Sequence, residues 1–195
     1  MGQILESPAL ATQKAADRAK LKQIRASLSA KYRETASETI KQNVIGLAEV
    51  DTARTVFIYI SHGDEVDTHG LLRHFLERGM AVAVPKILPG TGMIAVSFTR
   101  WEDLKPGALG ILAPSGTIPC PGPFDIVITP GLGFTVQGYR IGYGRGYYDR
   151  WFAEHRGPKK IAVTFDDQVI AQLPHAEYDI PVDILITEKR IIIIS

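Results

Sequence analysis

Residues 125–150 read DIVITPGLGFTVQGYRIGYGRGYYDR. Asp125-Ile-Val-Ile-Thr129 is a short apolar run suited to a strand buried on both faces. Pro130 and Gly131 end it. Between Gly131 and Arg150 lie six glycines, three arginines, four tyrosines and one aspartate, a mixture foreign to helix interiors and ordinary strands. Glycine adopts positive φ and lets a ligand approach the main chain. Successive exposed backbone N–H groups form anion-binding concavities, and arginine adds forked donors that match phosphate oxygens. A helix opening at Gly146–Arg150 would point its free N–H groups at the same anion. An isolated GxG is more often a tight turn, but here Gly142, Gly144 and Gly146 alternate with Tyr143 and Arg145 behind Arg140, and Tyr147, Tyr148 and Asp149 follow. The spacing is neither GxxxxGK[ST] nor GxGxxG. The stretch reads as strand, anion cradle, helix.

The same alternation extends in both directions. Lys14 to Glu49 is helical by periodicity, with Leu21, Ile24 and Leu28 on one face, Ile40, Val44 and Leu47 on another, and Ser29 placed to cap a break. Thr55 to Ile60 is a second buried strand, followed by the loop SHGDEVDT and a helix bearing Leu71, Leu72, Phe75 and Leu76, capped by Thr68 and ended by Gly79. Ala81 to Val84 is a strand stopped by Pro85, giving a parallel, right-handed β–α–β unit. Further strands are expected at Met93–Phe98, Ile111–Ala113, Ile161–Phe165, Ile184–Thr187 and, as an edge, Ile191–Ile194; Tyr147–His155 is a helix. The fold class is α/β: a single-domain, open, mostly parallel sheet with helices on both faces and an N-terminal helical segment, preceded by a flexible tail over residues 1–13. In such sheets ligands bind beyond the carboxyl ends of the strands. The SHGDEVDT loop and the cradle both leave that edge, so two loops far apart in sequence face one crevice.

At 195 residues the chain suits one domain of 14–195. Its 45% hydrophobic and 22% charged content is ordinary for a globular protein. A net charge of +1 gives no global attraction to nucleic acid, so any anion site is local. The single cysteine, Cys120, cannot form an internal disulfide and sits in the loop PCPG, which fits a reducing compartment and an inert thiol. No apolar run approaches the ~20 residues of a membrane helix, and the N-terminus lacks a secretory pattern. The expectation is a cytoplasmic monomer without nucleic-acid or membrane partners.

With its motifs in place, the chain resembles the 5-formyltetrahydrofolate cyclo-ligase family along nearly its whole length. The carrying blocks are a basic N-terminal helix with Ile24-Arg25, the loop Asp64-Glu65-Val66-Asp67-Thr68, Val84-Pro85-Lys86, Pro130 to Phe134, Gly138 to Asp149, and Val182-Asp183. The resemblance implies a ligase that uses ATP and Mg2+ to turn 5-formyltetrahydrofolate into 5,10-methenyltetrahydrofolate, through phosphorylation of the formyl oxygen and ring closure. It implies catalytic roles for Arg140, Arg145 and Tyr147. ATP would be held by Lys22, Arg25, Arg140, Ile141, Gly142, Tyr143, Gly144, Arg145, Gly146, Tyr147 and Tyr148. The folate would be held by Ile60, Glu65 and the run Tyr143 to Tyr147, with the Glu65 carboxylate suited to paired pterin N–H donors. Asp149 and Asp183 would bind Mg2+. Read from the residues alone, Asp149 is equally a first-turn carboxylate complementing a helix dipole, Asp183 a strand-end residue, and Ile60 plain core.

The chain departs from the family pattern in three places. The family's N-terminal helix carries a lysine four residues before its arginine, but Leu21 stands four before Arg25; Lys22, three before, shares its face. Thr135 stands where aspartate is common, and Arg145 where many members have glycine or lysine. A binding protein without turnover, an RNA-associated homologue and a sugar-phosphate isomerase are the readings that compete with the cyclo-ligase. The pair Asp149 and Asp183 opposes the pure binder, near-zero net charge opposes the RNA reading, and the Glu65 loop and the tyrosines as a set oppose the isomerase.

Overall fold

The run of β-branched residues after Asp125 becomes strand β6 (Ile126–Thr129), buried along its whole length. The structure is a computed structural model and describes residues 7–88, 92–107, 112–116, 118–176 and 178–194. β6 lies parallel between β1 (Thr55–Ile58) and β9 (Lys159–Val163). β2 (Ala81–Leu88) joins β1 and β10 (Ile184–Ile186) joins β9, also parallel. Two antiparallel strands, β3 (Gly92–Ser97) and β11 (Ile191–Ile193), close the edges. The sheet order is β11-β10-β9-β6-β1-β2-β3. Two short antiparallel pairs stand outside it: β4 (Leu104–Pro106) with β5 (Leu112–Pro114), and β7 (Gly133–Phe134) with β8 (Arg140–Ile141).

Side chains alternate across the pleat, so each apolar strand feeds two cores. Val56, Ile58, Ile126, Ile128, Ile161, Val163, Ile184 and Ile186 pack on one face against α2 (Ala30–Ile45), α3 (Ala48–Thr52) and α4 (His69–Glu77). Phe57, Ala83 and Val127 face the other way, onto Trp151 and Phe152 of α5 (Tyr147–Glu154). The expected open α/β sheet with helices on both faces is what forms. The first helix, α1 (Pro8–Ser27), packs elsewhere: its Leu21 clusters with Leu132, Ile141 and Leu173, the loops at the site.

Several local expectations change. α1 begins at Pro8, with the Ser7 hydroxyl accepting the Leu10 N–H, so residues 8–13 of the expected tail are helical; a serine followed by proline is a helix start. Residues 1–6 lie outside the described residues, as does Ile111. Pro85 does not end its strand. β1 pairs with β2 only as far as Ala83, so Pro85 lies where β2 has only β3 beside it, the edge position proline tolerates. Thr68 precedes α4 but does not cap it. Its hydroxyl donates to the Tyr59 carbonyl and accepts from the Ser61 N–H, while the Asp67 carboxylate takes the His69 N–H. Gly79 does end the helix, with φ +72° and the paired Gly79-to-Leu76 and Met80-to-Phe75 bonds of a Schellman motif.

Candidate functional site

Among the five parallel strands, chain connection runs outward from β1 to β2 in one direction and from β6 to β9 and β10 in the other. The reversal lies between β1 and β6, and a crevice opens beyond the carboxyl ends of strands at such a point. The loop after β1 carries Ser61 to Asp67. The loop after β6 folds back as the β7–β8 hairpin, anchored by Phe134 on Ala162, Val182 and Leu185, and then crosses to α5.

That crossing is built from left-handed glycines. Gly144 has φ +94° and Gly146, the residue before α5, φ +60°. Alternating left-handed residues turn consecutive amides toward one side. Among the described residues, none of the backbone N–H groups from Gly142 to Asp149 donates to another protein group. Asp149 is acidic in the first turn of α5, and no side chain caps that end. The run of unused donors is what an anion cradle requires.

Helix α1 lies against this loop. Lys14, Arg18, Lys22 and Arg25 are spaced four, four and three residues apart and share one face. Leu21 is 1% exposed, and a Cβ at Gly133 would come within 2.6 Å of it, so glycine there permits the close approach. Arg18 Nε donates to the Gly142 carbonyl at 3.1 Å. A Cβ at Gly144 would lie 3.3 Å from the Arg18 guanidinium carbon. Lys22 and Arg25 each stand 5.7 Å from the centre of the Tyr143 ring. Lys14 is ion-paired with Asp179 at 2.6 Å.

The two loops meet at Tyr143. Its hydroxyl donates to Glu65 Oε1 at 2.7 Å and accepts from Arg25 Nη2 at 2.8 Å. The other Glu65 oxygen accepts the His62 N–H. Tyr148, stacked on Phe57, has a buried hydroxyl without a hydrogen-bond partner. Burial first, and the Glu65 carboxylate after it, push the phenols of Tyr148 and Tyr59 far above the ordinary tyrosine range. The Glu65 carboxylate and the Tyr143 hydroxyl therefore meet beside the free amides of the glycine loop. A separate cleft of about 610 Å³ opens on the α2 side of the Glu65 loop, lined by residues including Ser37, Lys41, His62, Glu65 and Asp67; none of its lining comes from Gly131–Arg150.

The structure brings together Glu65, Lys22 and the run Gly142 to Asp149, and redirects other expected residues. Arg140 turns inward: its side chain is 4% exposed, donating to the Ile180 carbonyl and to Asp149 Oδ1, both at 2.6 Å, over the Phe152 ring. Ile141, just ahead of the cradle, is buried against Leu21. Ile60 is packed in the main core rather than lining the crevice. Arg25 is buried between Tyr143 and Asp64. Asp183 does not join Asp149: both its oxygens are bonded to Lys160, whose N–H and ammonium it takes at 2.7 and 2.9 Å. Among the described residues no group of three or more His, Cys, Asp or Glu side chains could hold a metal ion. Lys86, of the Val84-Pro85-Lys86 block, donates its ammonium to the Pro114 and Gly116 carbonyls. Arg145 is exposed, and Arg150 lies over the Tyr147 ring.

Arg18 was not among the expected site residues, although its signal was present: a lysine four residues before an arginine occurs at Lys14 and Arg18, two turns ahead of the Leu21–Arg25 pair, and Arg18 donates to the main chain of the loop at Gly142.

The family model described as the 5-formyltetrahydrofolate cyclo-ligase family matches residues 11–188. The chain is 29% identical over 188 residues to the mouse 5-formyltetrahydrofolate cyclo-ligase, covering 88% of this chain and 91% of that protein. It is 29% identical over 183 residues to the protein of that name from Mycolicibacterium smegmatis, covering 89% and 92%. Among solved structures, the Aquifex aeolicus 5,10-methenyltetrahydrofolate synthetase superposes with a TM-score of 0.82 at 32% identity, covering 92% of both chains. Among the described residues no helix is long and apolar enough to cross a membrane.

Proposed function

Because the chain belongs to the 5-formyltetrahydrofolate cyclo-ligase family, we propose that it closes 5-formyltetrahydrofolate to 5,10-methenyltetrahydrofolate with ATP, releasing ADP and phosphate. The observation that carries this reading is the run of unused amides from Gly142 to Asp149 beside the Glu65 carboxylate. One wall suits phosphate oxygens and the other suits pterin N–H groups.

A formamide oxygen is a poor leaving group. Transfer of the terminal phosphoryl group to it breaks the bond between that phosphorus and the bridging oxygen of ATP and makes the formyl oxygen a phosphate ester. The neighbouring amine then attacks the formyl carbon, the ring closes, and phosphate departs with the oxygen. No protein nucleophile is needed, so the residues act by position and charge. The cradle amides, the α5 N-terminus and Arg145 receive the phosphates, with Arg18 and Lys22 on the α1 side. Glu65 orients the pterin, and Tyr147 lines its path.

For magnesium the fit is partial. Asp149 uses Oδ1 for Arg140 and is 26% exposed, which suits a cation held mainly by phosphate oxygens with one protein carboxylate. Asp183, saturated by Lys160, does not fit. A magnesium ion there would neutralise charge on the transferring phosphoryl group.

The test is to incubate the protein with 5-formyltetrahydrofolate, ATP and Mg2+ while following methenyl absorbance and ADP together. The expected result is a rise that requires ATP and matches ADP mole for mole. Absence of any ATP-dependent signal overturns the proposal.

A further inference from the structure

Glu65 is oriented from outside its own loop. Its Oε1 takes the Tyr143 proton, and the Tyr143 oxygen in turn accepts from Arg25 Nη2. A phenol has one proton to give and arginine cannot accept. As long as Arg25 donates to the Tyr143 oxygen, that proton is committed to Glu65. Arg25 is itself fixed by Asp64 Oδ1 at 2.7 Å, in the same loop as Glu65. At 5% exposure its guanidinium is closed to solvent. The chain of contacts thus runs from α1 through the tip of the glycine loop to the carboxylate, and closes back on that loop through Asp64.

Resting on the cyclo-ligase reading of the crevice, we propose that Arg25 is a positioning residue for the folate, acting through the Tyr143 hydroxyl to hold the Glu65 carboxylate aimed at the pterin, with no part in holding nucleotide. The glycine loop then serves both sites at once: its amides address phosphate while the side chain at its tip sets the opposite wall.

The experiment measures two dissociation constants by titration calorimetry, one for 5-formyltetrahydrofolate and one for a non-hydrolysable ATP analogue with Mg2+, in wild type, Arg25→Gln, Tyr143→Phe and the double variant. Either single change weakens folate binding about tenfold, the scale of one charge-assisted hydrogen bond. Nucleotide binding after Arg25→Gln stays within about twofold of wild type. The double variant is no worse than the singles, because both cut the same chain of contacts. Loss of nucleotide affinity with folate affinity intact in Arg25→Gln overturns the proposal, as does a lowered melting temperature with both constants unchanged. Should Arg25→Gln not fold, Tyr143→Phe, which keeps the Arg25–Asp64 pair, decides alone: unchanged folate affinity overturns the proposal. Wild-type protein that binds nucleotide but no formyl folate overturns the cyclo-ligase reading itself, and this proposal with it.

Discussion

Arg140 shows how far one residue's surroundings override its neighbours in sequence. Set among glycines and tyrosines, it reads as a phosphate donor; folded, its guanidinium joins the Ile180 carbonyl to Asp149 above Phe152. Burial pulls its pKa below the ordinary arginine value and the Asp149 carboxylate opposes this, so it remains a cation in a built socket. Arg140→Met should therefore cost stability before it costs binding, by about 3 kcal/mol, because a buried pair loses one partner. Differential scanning calorimetry should show this as a fall of roughly 6–12 °C for a chain of this size; an unchanged melting temperature would return Arg140 to the cradle. Gly144 predicts the reverse pattern. At φ +94°, with Arg18 beside its missing Cβ, Gly144→Ala strains an exposed loop by about 1 kcal/mol. Nucleotide affinity should fall about tenfold as the cradle opens, with little change in melting temperature; calorimetric titration reads the first and scanning calorimetry the second. Glycine's freedom was legible in the sequence; the inward turn of Arg140 was not, since it depends on Ile180, forty residues away.

At the scale of elements, α1 is the piece whose job differs from its appearance. Its periodicity and the Ser29 cap that follows it were legible, because both are local. What it packs against was not: a basic helix ahead of an α/β domain is expected on the sheet, and this one lies on the cradle through Leu21. That placement also explains Lys14–Arg18. Once Leu21 faces the loop, its helical neighbours one turn either way, at 18 and 25, flank the same contact. Leu21→Ala removes the anchor. It should cost about 2–5 kcal/mol of local packing, and because α1 touches few other elements, the loss should appear as sub-global opening. Hydrogen exchange should speed up in α1 and in the loop following β6, with β1, β6 and β9 still protected. Uniform acceleration through the sheet would show α1 to be part of the global fold instead.

Across the whole molecule, the alternation of strands and helices declared a parallel sheet, yet strand order rests on contacts that no short window contains. Asp125 is one. Its Oδ2 accepts from the Arg54 N–H, the Thr55 N–H and the Thr55 hydroxyl, tying β6 to the start of β1. Asp166 similarly ties the turn after β9 to Thr187 and Arg190 beyond β10. Both carboxyls are held below the usual aspartate value. For Asp125 the cause is the Arg54 amide followed by the Thr55 groups; for Asp166 burial acts upward and is outweighed by Arg190 and Thr187. A folded pKa lower than the unfolded one, about 3.9, means that the unfolded chain binds protons first as the solution is acidified. The stabilisation is thus complete above the unfolded value and drains away as pH falls through the folded one. Urea midpoints should stay level with respect to these two groups from neutrality to about pH 5 and drop below about pH 4. Asp125→Asn keeps an acceptor oxygen but cannot titrate, so its midpoint should start lower at pH 7 and fall less steeply in acid. A variant curve parallel to wild type across the acid range would mean that the sheet's strand order is held without this carboxylate.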